Sequence, residues 1–324
     1  MVSPLDCSYL IPVRWHDGGQ RSEMTEYLAE LAALGPEIIV VDGSPATVLA
    51  ANADAWRAHV AFHVPPAPAE ACLNGKVAGV RTAAALATRE RLVIADDDVR
   101  YDPASLRRLL DLLDEFDLVR PQNYFDPLPW HARWDSARTL LNRSFGADFP
   151  GTLGVRRSRF VAMGGYDGDV LFENLELIRT VRAHGGRIHS PLDLYVRRLP
   201  PSSAHFRGQR VRQAYDDFAL PARMALELAL IPALALAVRR HRLDLAVAAA
   251  GLSVLAAERG RRRGGGVRFF PPSASLLAPF WLAERGTCAW LAAVQRWRKG
   301  GVRYAGSTIP IAAHSVAALR RDRR

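Results

Sequence analysis

The sequence predicts an α/β fold in which helices flank a mostly parallel sheet, followed by a helical C-terminal region that we expect to be membrane-associated. Two observations predict this fold. Over the first two-thirds of the 324 residues, short apolar runs alternate with segments of helical periodicity, a pattern typical of parallel strands joined by helices. Near residues 215–222 the apolar pattern changes and basic clusters begin, which predicts a boundary between residues 1–216 and residues 217–324.

The strand and helix signals of the first region follow in order. Residues 8–13 and 38–41 are apolar runs of strand length. Between them, apolar residues at helical spacing predict a helix: Met24, Tyr27, Leu28, Leu31 and Leu34. Gly35 follows and is placed to end this helix. A third run, residues 92–95, leads into three aspartates, after which Asp102 and Pro103 predict the N-cap and first residue of a helix.

Three apolar segments make up most of the C-terminal region: residues 218–238, 243–257 and 274–294. A helix that spans a bilayer needs about 20 apolar residues, and each segment is either shorter or interrupted by charged residues. They are therefore either buried and amphipathic helices of a soluble domain, or interfacial and hairpin helices held to anionic lipid by arginines. The arginine-rich junctions favour membrane attachment.

The chain carries a formal charge of +10, from 43 basic and 33 acidic residues, which suits a phosphate-rich ligand, an anionic membrane or a nucleic acid. Basic clusters at 239–242, 259–263 and 320–324 lie beside apolar segments and not among stacking aromatics. This arrangement favours lipid headgroups and argues against a nucleic-acid partner. The three scattered cysteines have neither disulfide nor metal-ligand spacing, which predicts a reducing, cytosolic setting.

Three aspartates, Asp96, Asp97 and Asp98, follow the third strand. Adjacent carboxylates raise each other's pKa unless a cation or hydrogen-bond donors compensate. Because side chains alternate along a strand, we expect Asp96 and Asp98 on one face and Asp97, in a structural role, on the other. Parallel sheets bind ligands outside the carboxyl ends of their strands, where paired carboxylates bind Mg²⁺ or Mn²⁺. The alternative is a capping and turn cluster before the next helix.

Seven short motifs occur in one order between residues 8 and 215: IPVR (11–14), IIVVDGSP (38–45), NGKVAGVRTA (74–83), VIADDDV (93–99), GGYD (164–167), FENLEL (172–177) and GQRVRQ (208–213). In this order and spacing they resemble a family 2 glycosyltransferase. The resemblance implies the GT-A fold, a nucleotide-diphosphate sugar as donor, a divalent cation (Mg²⁺ or Mn²⁺) and inversion at the sugar carbon.

The resemblance also implies roles for the residues that match the family's motifs. Asp96 and Asp98 match the DxD positions that serve the ribose and the metal-bound diphosphate. The remaining donor contacts would be Pro12, Val13 and Arg14 in the base pocket, Asp42 on the base or ribose, and Lys76 on the donor. From the residues alone, Asp42 is also explained as the start of a turn and Lys76 as a solvated lysine at a helix start.

The general base is the point at which this sequence departs from the family. An acidic pair, Glu-Asp, is expected before a helix, but the chain has Glu173 and Asn174, and a carboxamide cannot accept the proton. Glu173 or Glu176 would then be the base, and their spacing places both on one side of a helix. The alternatives are an acceptor that needs little deprotonation, a loss of activity, or an acidic helix start that complements the dipole.

The motif GQRVRQ resembles the family's QxxRW, with Gln209 and Arg212 preserved and Gln213 in place of the tryptophan. The resemblance implies that Gln209 belongs to the donor site and that Arg212 contacts the donor diphosphate or clamps the acceptor. The missing tryptophan argues against processive polymer synthesis. Arg207 and Arg210 are typical of a basic, solvated helix face.

Aromatic residues are dense between the aspartates and GGYD: Tyr124, Phe125, Trp130 and Trp134. Prolines 127 and 129 predict that this segment is a loop. Such aromatics contact a sugar or a lipid acceptor, or they fill the core beneath a loop. Since the family's acceptor site lies in this part of the chain, acceptor contact is favoured.

Together these features predict a metal-dependent, inverting glycosyltransferase at the cytoplasmic face of the cell membrane, attached peripherally or integrally through its C-terminal helices. It would transfer a sugar to a lipid or lipid-linked acceptor. One alternative is a nucleotidyltransferase on a related sheet, for which the loop WHDGGQR (15–21) is a loose match. The other is a catalytically impaired homologue that binds nucleotide sugars, which Asn174 suggests.

Overall fold

The computed structural model describes residues 4–304 and 306–321, so the last three residues of the basic cluster at 320–324 lie outside the described part. The strands are β1 (Ser8–Val13), β2 (Glu37–Asp42), β3 (Phe62–Val64), β4 (Arg91–Ala95), β5 (Val99–Arg100), β6 (Leu118–Val119), β7 (Gln122–Phe125), β8 (Thr152–Arg156), β9 (Ile188–His189), β10 (Tyr195–Arg198), β11 (Val302–Tyr304) and β12 (Ser307–Ile309).

Helices connect these strands and form the C-terminal region. They are α1 (Arg21–Ala32), α2 (Ala46–Trp56), α3 (Gly75–Leu86), α4 (Pro103–Leu112), α5 (Trp130–Phe145), α6 (Arg157–Ala162), α7 (Glu173–Ala183), α8 (Ser203–Gly208), α9 (Arg210–Tyr215), α10 (Pro221–Arg239), α11 (Leu243–Arg262), α12 (Pro272–Leu276), α13 (Ala278–Lys299) and α14 (Val316–Arg321). Short 3₁₀ turns lie at Pro68–Glu70, Asp216–Ala219 and Arg263–Arg268.

The main sheet has the strand order β3-β2-β1-β4-β8-β6-β9. Strands β3, β2, β1 and β4 are parallel, β8 runs antiparallel to β4 and β6, and β6 is parallel to β9. The fold class predicted from the sequence, a mostly parallel sheet flanked by helices, is therefore confirmed.

Both faces of this sheet are buried, which explains why its strands are continuous apolar runs. Alternate residues of β1, β2 and β4 pack on α1 and α4 on one face, and the residues between them pack on α3 and α7 on the other. Helix α1 ends as predicted, with Gly35 at φ +83° beyond its last turn. Asp102 caps α4 by accepting hydrogen bonds from the backbone N–H groups of Ala104 and Ser105.

A second sheet of three short strands, in the order β5-β10-β7, lies after the aspartate triplet. Strand β10 runs antiparallel to β5, with Arg198 opposite Val99. The backbone N–H of Leu199 donates to the carbonyl of Asp98 at 2.7 Å. This pairing carries the end of β10 to the aspartates that follow β4.

The prediction of a loop between the aspartates and GGYD is wrong over most of the segment, because residues 130–145 form helix α5. Pro129 takes the N-cap position with extended backbone angles, φ −65° and ψ 171°. Proline is compatible with a helix start, where its missing N–H has no intrahelical partner to lose. The prolines therefore mark the beginning of a helix.

The C-terminal region packs back on the first region. Helix α11 crosses α5 so closely that a Cβ added to Gly260 would lie 1.9 Å from the Leu140 carbonyl oxygen. After the β11–β12 hairpin, the chain runs beside the start of α7, where the Phe172 N–H donates to the Ala312 carbonyl. Within the described part of the chain, one helix, α10, has the length and apolar composition to cross a membrane.

Candidate active site

Asp97 points away from the other two aspartates of the triplet. Its Oδ2 accepts a hydrogen bond from Trp15 Nε1 at 2.5 Å. Burial, followed by the charge of Asp98, raises the pKa of Asp97 to about 6. The side chain thus fixes the loop after β1 against the loop after β4, in keeping with a structural role.

Asp96 and Asp98 face the same arginine. Arg198 Nε donates to Asp98 Oδ2 at 2.9 Å, and Arg198 Nη2 donates to Asp96 Oδ2 at 3.2 Å. Lys76 Nζ lies 2.5 Å from Asp96 Oδ1. Burial opposes the charge on Arg198 and Lys76, but the carboxylates outweigh it and raise the pKa of both cations. The protein therefore supplies cations of its own to the triplet.

Asp98 also offers an unpartnered oxygen to a ligand. Asp98 Oδ1 is buried and has no hydrogen-bond partner among the described residues. The Gly151 backbone packs directly on these side chains, since a Cβ added to Gly151 would lie 2.5 Å from Asp96 Oδ2 and 3.1 Å from the Arg198 guanidinium. Glycine at 151 thus allows this close approach, and the unpartnered carboxylate oxygen of Asp98 suits a hard divalent cation.

Two helix N-termini meet at the same place. Lys76 lies in the first turn of α3, which Asn74 caps by accepting from the Lys76 N–H at 3.2 Å. Glu173 is the first residue of α7 and accepts a hydrogen bond from Lys76 Nζ. A Cβ on Gly79 would lie 3.0 Å from Pro12 Cβ, so α3 packs closely on β1. Helix N-termini and a lysine together form an anion-binding environment.

Asp42 ends β2, beside Val13 in the sheet register. It is fully buried, and its oxygens accept hydrogen bonds from Ser44 N–H at 2.9 Å and Asn52 Nδ2 at 2.8 Å, while His63 Nε2 lies 3.2 Å away. Burial opposes ionisation, but these hydrogen bonds outweigh it and hold the pKa of Asp42 at about 2. A role of Asp42 in nucleotide binding stays a prediction.

The other residues expected in the base pocket lie at the same edge. Pro12 and Val13 end β1, and Arg14 follows as an exposed residue. The Arg14 guanidinium lies 3.9 Å from the position of a Cβ on Gly75, at the start of α3. The residues assigned to the nucleotide and those assigned to the diphosphate are thus contiguous around the N-terminus of α3.

Glu173 and Glu176 do not face the same side, contrary to the expectation from their spacing. Glu176 is fully buried, and its oxygens accept from the His314 N–H at 2.7 Å and pair with His314 Nδ1 at 3.0 Å. The physical reason is that the C-terminal segment packs over this face of α7. Ligand atoms of Asp167, Glu176 and His314 lie within 4.8 Å of one another, but Glu176 and His314 already pair with each other.

Asn174 has a structural bond, with its Nδ2 donating to the Pro150 carbonyl at 3.0 Å. The QxxRW-like motif places Gln209 and Arg212 together, where Arg212 Nη2 donates to Gln209 Oε1 at 3.1 Å. The Arg212 guanidinium also lies 5.1 Å from the ring centre of Tyr304. Motif residues at 209 and 212 therefore reach the hairpin that carries Tyr304.

Arg210 is not part of a solvated face. It is buried, with Nη1 2.6 Å from Asp135 Oδ1 and Nε 2.6 Å from Glu284 Oε1. A buried arginine needs such carboxylates, and the elements α5 and α13 that supply them are distant in sequence. Arg207, in contrast, is exposed as expected.

The aromatic residues expected near an acceptor pack largely against the C-terminal region. Trp134 Nε1 donates to Glu284 Oε2 at 2.7 Å, and the ring of Tyr124 lies 4.6 Å from that of Phe269. Trp130 is 56% exposed. The helical geometry of α5 thus assigns Trp134 to packing and leaves Trp130 at the surface.

Sequence reasoning missed three residues of this site: Arg198, Tyr304 and Asp216. Burial, followed by the charge of Glu173, raises the pKa of Tyr304, and Lys76 and Asp96 also act on this phenol. The Asp216 carboxyl is subject to the charges of Arg212 and Glu173. The weak signals were an arginine pair in a four-residue strand and an acidic pair that begins three residues after the QxxRW-like motif.

No protein-family model matches the chain, and no curated protein matches it. Among solved structures it is similar to a mannosyltransferase from Pyrobaculum calidifontis in complex with GDP-Man and Mn²⁺, with a TM-score of 0.54 and 16% identity, covering 91% of this chain and 88% of that chain. This likeness concerns the fold, a GT-A-like sheet flanked by helices.

Two further structures are similar over part of the chain. TarS from S. aureus in complex with UDP-GlcNAc has a TM-score of 0.42 and 12% identity, covering 63% of this chain and 61% of that chain. Mannosyl-3-phosphoglycerate synthase from Rubrobacter xylanophilus has a TM-score of 0.41 and 15% identity, covering 63% and 70%.

Proposed function

We propose that the chain is a nucleotide-sugar-dependent, inverting glycosyltransferase that works with a divalent cation. The observation that carries this proposal is the convergence of Asp96, Asp98, Lys76 and Glu173 at the carboxyl edge of the sheet, between two helix N-termini. The GT-A-like fold supports it, since the mannosyltransferase of similar fold was solved with GDP-Man and Mn²⁺.

Asp96 and Asp98 would hold the cation, Mg²⁺ or Mn²⁺. The fit rests on Asp98 Oδ1, a buried oxygen for which the described residues supply no donor. A bound divalent cation supplies charge neutralisation at the leaving diphosphate. Arg198 already pairs with both carboxylates, so it keeps their negative charges compatible before a ligand arrives.

The chain's own residues perform the rest of donor binding in this proposal. Lys76 and the N–H groups at the start of α3 bind the diphosphate, because cations and helix N-termini attract anions. Pro12, Val13 and Arg14 lie at the adjoining strand end and would contact the base. Asp42 orders this pocket through Ser44, Asn52 and His63.

The proposed acceptor is a lipid or a lipid-linked hydroxyl, and the proposed location is the cytoplasmic face of the cell membrane. Support comes from α10 and α11, which expose large apolar side chains: Leu234, Leu236, Val238, Leu243, Leu245, Val247, Leu252 and Leu255. Exposed Arg239, Arg240 and Arg242 lie at the junction of these helices. Apolar surface next to arginines is the combination that binds anionic membranes.

A turnover assay tests the activity. The full chain is incubated with GDP-mannose or UDP-GlcNAc, with Mn²⁺ or EDTA, and with a lipid extract as acceptor. The proposal predicts metal-dependent release of nucleoside diphosphate and transfer of the sugar to lipid. Release of pyrophosphate from nucleotide and sugar phosphate would instead assign a nucleotidyltransferase. Donor binding without turnover on every acceptor would assign a catalytically impaired homologue, which the structural bond of Asn174 would explain.

Sedimentation with vesicles tests the membrane proposal. We expect the chain to bind vesicles that contain phosphatidylglycerol and to be released by high salt or by the double change Leu245→Asp and Val247→Asp. These side chains are 51% and 71% exposed, so the changes do not disturb a core. A chain that stays in the supernatant with all vesicles would refute membrane attachment.

A further inference from the structure

Glycosyl transfer to a hydroxyl requires a group that accepts the hydroxyl proton, and the residues expected for this role are committed elsewhere. Asn174 is an amide bonded to the Pro150 carbonyl. Glu173 is paired with Lys76. Glu176 is buried under the C-terminal segment and bonded to His314. The proton acceptor must therefore be sought among other carboxylates that face the site.

Asp216 is such a carboxylate. It begins the 3₁₀ turn directly after α9, the helix that carries Arg212 to the Tyr304 ring. The preceding residue, Tyr215, is fully buried and donates from its hydroxyl to the Pro310 carbonyl at 2.8 Å, and Arg296 Nη1 donates to the same hydroxyl at 3.1 Å. The backbone at Asp216 is thus held firmly in place.

The side chain of Asp216 keeps an acceptor atom available. Asp216 Oδ1 is buried, and nothing in the described ranges 4–304 and 306–321 donates a hydrogen bond to it. An unpartnered buried carboxylate oxygen is costly in a folded protein. A substrate hydroxyl would provide the missing donor at this position.

Three charged residues on other elements act on Asp216: Arg212 on α9, Glu173 on α7 and Arg285 on α13. Asp217, in the same turn, is the fourth. Burial, with the two carboxylates, raises the pKa of Asp216 to about 7, against the opposing effect of the arginines. A general base works best when its pKa lies near the operating pH. The charge environment of Asp216 therefore suits proton transfer at neutral pH.

We propose that Asp216 is the general base of the transfer reaction and replaces the aspartate that the family has at the position of Asn174. This inference rests on the proposed glycosyltransferase function. The acceptor O–H bond breaks and its proton passes to an Asp216 oxygen. The acceptor oxygen bonds to the anomeric carbon, and the bond from that carbon to the diphosphate oxygen breaks, with its electron pair leaving on the nucleoside diphosphate.

The test compares the full chain with Asp216→Asn, Asp216→Glu and a control, Asp169→Asn, in hydrolysis of GDP-mannose or UDP-GlcNAc with Mn²⁺ and water as acceptor. Asp169 is exposed before α7 and accepts a bond from the Leu73 N–H, so the control removes the same charge nearby. We expect kcat to fall roughly 100-fold or more in Asp216→Asn, with donor affinity within about 2-fold of wild type and the control unchanged.

The pH profile separates a base from a structural residue. Wild-type kcat should rise with pH through an inflection near 7, and this inflection should be absent from Asp216→Asn. Adding Asn174→Asp to Asp216→Asn should restore part of the activity. Because the buried carboxylate is disfavoured in the fold above its pKa, Asp216→Asn should not melt below wild type at pH 8, which excludes misfolding as the cause.

The outcomes distinguish this inference from the function on which it rests. If wild type hydrolyses a donor and Asp216→Asn retains kcat within about 3-fold or keeps the inflection, Asp216 is not the base and the glycosyltransferase proposal stands. If wild type neither binds nor hydrolyses either donor, the proposed function fails and the assignment of Asp216 fails with it.

Discussion

Replacing Arg198 by glutamine should destabilise the chain and make its stability depend on Mn²⁺. The change leaves Asp96 and Asp98 without the guanidinium that bonds both of them. Removing one partner of a buried ion pair costs about 3–5 kcal/mol. Since the Arg198 side chain is 26% exposed, we expect the lower end, about 3 kcal/mol, which lowers the melting temperature by about 4 °C in a chain of this size.

The assay is thermal melting of Arg198→Gln and wild type in EDTA and in Mn²⁺. The unpaired carboxylates should bind the cation and regain stability, by about 2.7 kcal/mol when Mn²⁺ exceeds its Kd 100-fold. Arg197→Gln is the matched control, because Arg197 precedes on the same strand and points to the opposite face. Equal melting temperatures of Arg198→Gln and wild type in EDTA, or equal gains in Mn²⁺, would show that Arg198 does not compensate the two carboxylates.

Two further predictions concern stability. Gly260→Ala should cost roughly 3 kcal/mol or more, measured by urea denaturation, because its Cβ would lie 1.9 Å from the Leu140 carbonyl oxygen, whereas Gly251→Ala on the same helix should gain about 1 kcal/mol. Asp42→Asn should cost about 2 kcal/mol at pH 7, because the pKa of Asp42 is about 2 against an ordinary 3.8. This stabilisation is present above pH 4 and disappears as the pH falls towards 2.

Each of these predictions has a contradicting result. Equal stability of the two glycine variants would show that α11 does not contact α5 at Gly260. If Asp42→Asn and wild type differ in free energy of unfolding by the same amount at pH 7 and at pH 2.5, ionisation of Asp42 is not the source of the difference. A loss of stability in Asp42→Asn at pH 7 but not at pH 2.5 would agree with hydrogen bonds from Ser44 and Asn52 to the ionised carboxylate.

The sheet and its edge could be predicted from the sequence because parallel strands buried on both faces leave continuous apolar runs, as at β1, β2 and β4. Asp97 was expected to point away from its two neighbours because side chains alternate along a strand, but β4 ends at Ala95 and the triplet lies in a turn. The turn, and the hydrogen bond from Trp15, orient Asp97 instead. The helix start at Asp102 could also be predicted, because an N-cap followed by proline is a local sequence pattern.

The rest of the site depends on contacts between distant segments, for which a single sequence holds little information. Arg198 reaches Asp98 through a four-residue strand 100 positions away, and short strands have no clear periodicity. The burial of Glu176 follows from a segment 138 residues later. Helix α5 was missed because proline marks both the start of a helix and a loop.

The most direct test of the donor site is calorimetric titration of GDP-mannose and UDP-GlcNAc into wild type and Asp98→Asn, each with Mn²⁺ and with EDTA. Asp98 has the buried oxygen that lacks a donor among the described residues. We expect wild type to bind at least one donor only with Mn²⁺, and Asp98→Asn to bind it at least 10-fold more weakly. Donor binding that is equally strong in EDTA and in Asp98→Asn would contradict this expectation.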